Sequence, residues 1–345
     1  MALIFDGPVT PDDATYFVRQ VPTPSDHRLA EVVPDRLVQE QTIRLANATR
    51  VNRTAQFRAF DGNIPRLERD SVETREVDLL PMSVQGSKGE LERLQLERVR
   101  QQGGSSAAIT QAIYNDLEAG VRAIRNRVEV ARGQLLSTGK ITLAENGVHL
   151  TADYQVPADH FVAPTTPWTT VATATVVTDL TAWVEKYTAD VGAPPSGMII
   201  SRKIAGLLQR NAEFASYAHS VAGTPQIVSR SIVNNVLEDF NLPPIAMVYD
   251  TVINVQGTDQ RVIPEDKVIF LPPASSPWAY VAWGVTATAL ELVSAAQTDL
   301  SFSDAPGLTG VVIKTGPPYQ EATLVDSLLL PVLERPEALM VADVF

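Results

Sequence analysis

The sequence predicts an α+β protein of two compact parts that carries a long hairpin unable to support itself, and three observations predict it. An apolar stripe continues for about 33 residues near the middle of the chain, which marks one very long amphipathic helix. Downstream of it, helical and strand patterns mix without regular βαβ alternation. Upstream, an alternating and charge-dense segment reads as two strands around an Asp61-Gly62 turn. With 345 residues the chain has the length for two cores, since a domain takes about 100 to 200 residues.

Composition narrows the function. The absence of cysteine excludes disulfides, thiolate metal sites and cysteine nucleophiles. A formal net charge of −12 opposes sequence-independent binding to nucleic acid, which draws its affinity from Lys and Arg on phosphates. Lysine is scarce, with Lys88, Lys140, Lys186, Lys203, Lys267 and Lys314 set against 22 arginines. No apolar run reaches the roughly 18 residues of a spanning helix, and the N-terminus lacks the basic start of a secretory signal, so a cytoplasmic protein is expected.

Residues 1–48 contain Pro8, Pro11, Pro22, Pro24 and Pro34 and show no sustained apolar period before Leu37, Ile43 and Leu45. This predicts an extended arm ordered by contacts elsewhere, or a partly disordered terminus. From Thr49 the run TRVNRTAQFRA alternates, with Val51, Ala55, Phe57 and Ala59 on one face. A charged tip, NIPRLERD, leads to SVETREVDL with Val77 and Leu79 in phase. Such a ribbon is marginal alone because it buries no face of its own. Arg58, Asp61, Arg66, Glu68, Arg69, Asp70, Glu73, Arg75 and Glu76 are therefore the candidate inter-subunit contacts, the alternative being a hairpin laid on its own domain.

A short charged helix is predicted over 90–101, broken at Gly103-Gly104. The long helix starts at Ser105 or Ser106, buries Ile109, Ile113, Leu117, Val121, Ile124, Val128 and Leu135, and ends at Gly139. At 1.5 Å per residue it is a rod of roughly 50 Å. Its polar face carries Glu118, Arg122, Arg125, Arg127, Glu129 and Arg132. A coiled coil is the alternative, against which stand the irregular period and Gly120 and Gly133. Strands follow at 140–143 and 147–154, then a helix capped by Thr178 or Asp179 and stopped by Pro194-Pro195. GMIIS reads as a strand entering the helix RKIAGLLQRN through a Ser201 cap, and SRSIVNNVLEDF as a further helix. IAMVYD, TVINV, QRVI and KVIFLP are strands, as are VTATALELV, TGVVIKT, ATLVDSLLL and ALMVADV after Pro277.

Few residue patterns point to chemistry. QGSKGE at 85–90 and TGKI at 138–141 do not fit a P-loop and read as a hinge and a helix end. His27, His149, His160 and His219 lie far apart without metal-ligand spacing, and no serine stands in a GxSxG setting. Asp250, Asp259, Glu265 and Asp266 cluster near strand ends, where turn carboxylates are the favoured reading over a cation site or an acid pair. Trp168, Trp183, Trp278 and Trp283 read as core or interface anchors. No catalytic, cofactor-binding or metal-ligating residue is assigned.

The order of these elements resembles the HK97-type capsid fold, and within it the lambda-like major capsid protein E family of tailed bacteriophages. The parallels are LLSTGKITL at 135–143, SGMIISRKIAGLLQRN at 196–211, PEDKVIFLP at 264–272 followed by a Gly284-Val285 strand, and the tail YQEATLVDSLLLPVLERPEALMVADV. The resemblance implies an N-terminal arm at 1–48, an E-loop hairpin at 49–88, and a P-domain at 89–155 with its spine helix at 105–138. It further implies an A-domain at 156–283, strands returning to the P-domain at 284–330 and a C-terminal segment at 331–345. The implied function is a non-enzymatic shell subunit that forms hexamers and pentamers around double-stranded DNA, without a cofactor, a membrane or sequence-specific DNA binding. Implied partners are further copies of itself, a separate scaffold, a portal and, as an option, a decoration protein, with assembly in the host cytoplasm and residence in the virion capsid. Some relatives crosslink subunits through an E-loop lysine, but residues 49–87 contain none. Two alternatives remain: an encapsulin-like nanocompartment shell enclosing cargo enzymes, and a hydrolase-like or carbohydrate-active enzyme using the acidic turns between Asp250 and Asp266.

Overall fold

The computed structural model describes residues 9–48, 72–89, 91, 94, 98, 106–218, 223, 225–273, 277–294, 301–315 and 320–345. The arm is not wholly extended. Its first element among the described residues is helix α1 (Pro11–Gln20), started by Thr10, whose hydroxyl accepts the Asp13 N–H, with Pro11 at the first helical position. Proline there costs nothing, because that N–H would have no helical partner anyway. Ala14, Thr15 and Val18 are buried. Strand β1 (Asp35–Leu37) follows, then β2 (Thr42–Ala48), β3 (Val72–Asp78) and β4 (Leu80–Lys88).

The spine helix α2 runs over Ser106–Thr138, 33 residues, as its stripe predicts. Ile113, Leu117, Val121, Ile124, Val128 and Leu135 are buried. Gly139 closes it with φ +65, its N–H bonded to the Leu135 carbonyl at 2.8 Å. Gly120 and Gly133, which count against a coiled coil, are points of close approach. A Cβ at Gly120 would stand 2.8 Å from Val325 Cγ2, and one at Gly133 would collide with the Val262 carbonyl. After the hairpin β5 (Lys140–Glu145) and β6 (Val148–Asp153) comes β7 (Phe161–Val162).

Helix α3 (Val176–Val191) starts after Thr175, so both predicted caps, Thr178 and Asp179, lie inside its first turn, and it ends at left-handed Gly192, ahead of the proline pair. Asp179 is engaged elsewhere, accepting the Trp168 indole N–H at 3.0 Å, while Glu213 accepts the Val177 N–H at the helix start. Strand β8 (Gly197–Ile200) enters α4 (Arg202–Arg210) through Ser201, whose hydroxyl accepts the Ile204 N–H, as read from the sequence. Then come α5 (Ala212–Tyr217), α6 (Arg230–Asp239), β9 (Ile245–Val248), β10 (Val252–Val255), β11 (Thr258–Arg261), β12 (Lys267–Leu271) and β13 (Ala279–Gly284). VTATALELV is not a strand: α7 covers Ala287–Ser294, with the Thr286 hydroxyl accepting the Ala289 N–H. The last strands are β14 (Thr309–Thr315), β15 (Gln320–Leu333) and β16 (Met340–Asp343).

Two five-stranded sheets organise these elements. In the first, the 14-residue β15 pairs antiparallel with β4 along one edge and with β14 and β13 in turn along the other, and β1 adds parallel to β13. Gln85 to Lys88, read from sequence as a hinge, are thus held in a strand. The second sheet has the order β7-β16-β12-β8-β9. Alternation divides its two faces between two cores. Ile199, Met247, Ile269 and Val341 join the spine and first-sheet core, while Met198, Ile200, Val268, Phe270, Met340 and Ala342 pack with α3, α4, α5 and α6. Among the described residues no helix is long and apolar enough to cross a membrane.

Candidate assembly surfaces

The hairpin is rooted lower on the chain than its alternation suggests. β2 pairs antiparallel with β3 from Thr42 opposite Asp78 to Ala48 opposite Val72, and this sheet has only two strands among the described residues. Ile43 and Leu79 are buried, and Leu79 N–H bonds to the Gln41 carbonyl at 2.9 Å, so the root is fixed in the first core. Beyond the root, polar pairs take over. Arg44 Nε lies 2.9 Å from Glu76 Oε1 with both side chains exposed, and the Thr42 hydroxyl donates to Asp78 at 2.7 Å. Of the predicted contacts, Glu76 therefore stands in the hairpin paired to Arg44. Glu73 and Arg75 lie on β3 opposite Asn47 and Leu45. Arg58, Asp61, Arg66, Glu68, Arg69 and Asp70 lie outside the described residues, as does most of the predicted 90–101 helix. Arg44, Thr42 and Asp78 escaped the sequence reading because it began the first strand at Thr49; Ile43 and Leu45 flanking Arg44 carry the alternation that extends it. Lys88 sits opposite Glu321 in the first sheet, away from the hairpin.

The polar face of the spine is not all solvated. Glu129 is fully buried and Arg132 nearly so. Glu129 accepts from the Leu29 N–H at 3.0 Å, the Tyr249 hydroxyl at 2.7 Å and Arg132 at 3.2 Å, and Arg132 reaches Asp35 at 2.5 Å. Burial, with Glu129 beside it, pushes the Tyr249 hydroxyl far above its ordinary range, so it stays a donor. One buried carboxylate thus ties the arm, the spine and the strand-end after β9 together. Thr15 adds a second anchor for the arm: its hydroxyl bonds both the carbonyl and the N–H of Gly310 on β14, 3.0 and 3.3 Å away.

The residues weighed for chemistry are engaged structurally. Asp250 accepts from Arg261 at 2.7 Å and from the Arg202 N–H at 2.8 Å, Glu265 pairs with Lys203 at 2.7 Å, and Asp259 accepts from Asn254 at 2.6 Å. Asp266 lies 3.4 Å from Lys267. Among the described residues no group of three or more metal-ligating side chains comes together. Buried His160 joins the Leu339 carbonyl at 3.0 Å and Asp190 at 3.1 Å, stitching the end of the chain to α3. Lys186, bonded to Asp190 and Asp159, holds both carboxyls below the usual range. Trp168 and Trp183 stack at 5.8 Å in the second core.

The described residues provide a rooted hairpin, an arm clasped onto the sheet and a long spine. A sequence model described as phage major capsid protein E matches residues 15–344. The chain belongs to the phage major capsid protein E family. Two solved structures give the same fold. A protein assigned as a prophage capsid protein in Escherichia coli CFT073 superposes with a TM-score of 0.61 at 13% identity, over 96% of this chain and 97% of that one. A phage-related protein of Bordetella bronchiseptica RB50 follows at 0.56 and 12%, over 98% of each. The fold is thus the HK97 type that the order of elements predicts. No curated protein sequence matches the chain. Membership of the capsid protein E family makes this a phage shell subunit and favours that reading over an encapsulin-like compartment.

Proposed function

We propose that copies of this chain close as hexamers and pentamers into an icosahedral shell around double-stranded phage DNA, after assembly in the host cytoplasm with a separate scaffold and a portal. No catalytic role is assigned. The proposed division is an arm at 1–48, an E-loop within 49–88, a P-domain at 89–155, an A-domain at 156–283, strands returning to the P-domain at 284–330 and a C-terminal segment at 331–345. The contacts of the E-loop with a neighbouring subunit are proposed to run through its dense mixed charges, from Arg58 to Glu76. The observation that carries the reading is the two-stranded hairpin that leaves the body at Ile43 and Leu79 and exposes the Arg44–Glu76 pair. Exposed pairs contribute only about 0 to 1 kcal/mol each, so they select register while the repetition of contacts around a capsomer supplies strength. Electron microscopy and sedimentation of the purified full chain, alone and co-expressed with a scaffold encoded beside it, test this. Closed particles or capsomer rings are expected; a monomer under every condition defeats the reading.

A further inference from the structure

An open pocket of about 250 Å³ lies where α1, β1, the spine and the segment before β14 converge, with Trp283 in its wall. Two guanidiniums face it. Arg19 is spent on main-chain carbonyls, those of Leu308, Asp304 and Ala305 at 3.0, 2.8 and 3.2 Å. Arg125 donates one hydrogen bond, to the Thr23 hydroxyl at 2.8 Å, and forms no ion pair among the described residues. A guanidinium has five N–H donors, so most of the Arg125 fork is unused. Burial lowers its pKa from the ordinary arginine value, with Asp35 opposing and Arg132 reinforcing that shift. The one carboxylate in the pocket, Asp35, is already taken by Arg132. Around the pocket, then, Arg125 is the guanidinium with the most donors unused, and no carboxylate is hydrogen-bonded to it among the described residues. Asp304 moderates Arg19 from the surface, where its carboxylate accepts from Ser301.

We infer that this pocket receives one carboxylate side chain from a second copy of the chain, with Arg125 as its partner. The inference deepens the shell-subunit reading and rests on it. Charge chooses the occupant. A chain with 40 acidic against 28 basic residues offers its neighbours a carboxylate-rich surface. A guanidinium with most of its fork free suits a carboxylate in bidentate geometry. A phosphate dianion or a DNA backbone would bring its extra charge against Asp35 and against a net −12. On the rim, Leu37 is 66% exposed in the subunit and provides an apolar surface for the stem of the incoming side chain.

The test is cryo-electron microscopy of shells assembled from the full chain, with particle yields of Arg125→Gln, Arg125→Lys and Leu37→Glu measured beside wild type. A carboxylate of the adjoining copy is expected within about 4 Å of the Arg125 guanidinium. Arg125→Gln is expected to lose about tenfold in particle yield, the factor for one charged hydrogen-bonded contact, with Arg125→Lys intermediate. Leu37→Glu fills the rim with a carboxylate from the same chain and is expected to lose yield similarly; its exposure leaves the fold intact should Arg125→Gln misfold. An empty pocket, a carboxylate from the same polypeptide, a bound phosphate-class anion, or full yield from Arg125→Gln or Leu37→Glu overturns the inference. Wild-type chain that forms no particles defeats the shell reading and this inference with it, whereas normal wild-type shells with indifferent variants sink only the pocket assignment.

Discussion

Glu129 shows how much one side chain can join. Removing it as Glu129→Ala leaves the Arg132 charge, the Tyr249 hydroxyl and the Leu29 N–H buried with partners missing. A broken buried pair costs about 3–5 kcal/mol, so a loss of that order is expected in urea unfolding of the soluble subunit. Tyr249→Phe removes one hydrogen bond to the same carboxylate and is expected to cost about 1.5–3 kcal/mol. The sequence placed Glu129 and Arg132 on a polar helix face, and periodicity cannot tell a solvated face from one covered by the arm and a distant tyrosine. The cluster of Lys186 with Asp159 and Asp190 carries a pH prediction. The Lys186 hydrogen bond, joined by His160, depresses the Asp190 pKa in the folded state. Its contribution is therefore present above the ordinary carboxylate pKa of about 4 and fades as pH falls through the lower folded value. Thermal melting between neutral and acidic pH should show this acid-side loss shrinking in Lys186→Met.

Glycines make the matching argument for whole helices. Gly206, inside α4, has open space where a Cβ would go, so Gly206→Ala should stabilise by about 0.5–1 kcal/mol through helix propensity alone. Gly133, inside the spine, meets the Val262 main chain at the same position. Gly133→Ala gains the same propensity but must push the spine off the loop after β11, and overpacking of about 1–3 kcal/mol should make it net destabilising. Paired denaturation curves decide both signs. The spine was legible because its stripe is long and Gly139 stops it, its described start at Ser106 being one of the two positions the sequence offers. α4 was legible because Ser201 caps it. α1 was missed although Thr10, Pro11, Asp12 and Asp13 form an N-terminal signature, since proline density weighed as evidence for extension. α7 was missed because Val285, Thr286, Thr288 and Val293 favour strands, and a helix of 8 residues is too short for periodicity to overrule them. Of the candidate contact surface, the charge density was visible, but its register was not, because alternation alone does not say where pairing begins.

At the scale of the whole subunit, the described strands of the hairpin pair only with each other among the described residues. Since Ala48 faces Val72 in register, residues 49–71 can be replaced by an Asn-Gly turn that closes the hairpin tightly. The expected result is a soluble subunit with unchanged melting that no longer forms particles; intact shells from it would show the finger dispensable. Acidity predicts a second property: a shell wall that does not hold phosphates, so the mapped inner face should lack a strongly positive field, and DNA retention should depend weakly on salt. The final strand bears on whether such a subunit holds together. β16 lies inside the second sheet, between β7 and β12, with Met340 and Ala342 in one core and Val341 in the other. A nascent chain still short of these residues leaves a gap flanked by two unsatisfied strand edges. Truncation before Met340 is therefore expected to open the second sheet and cost the subunit its cooperative melting, which circular dichroism of the shortened chain would read.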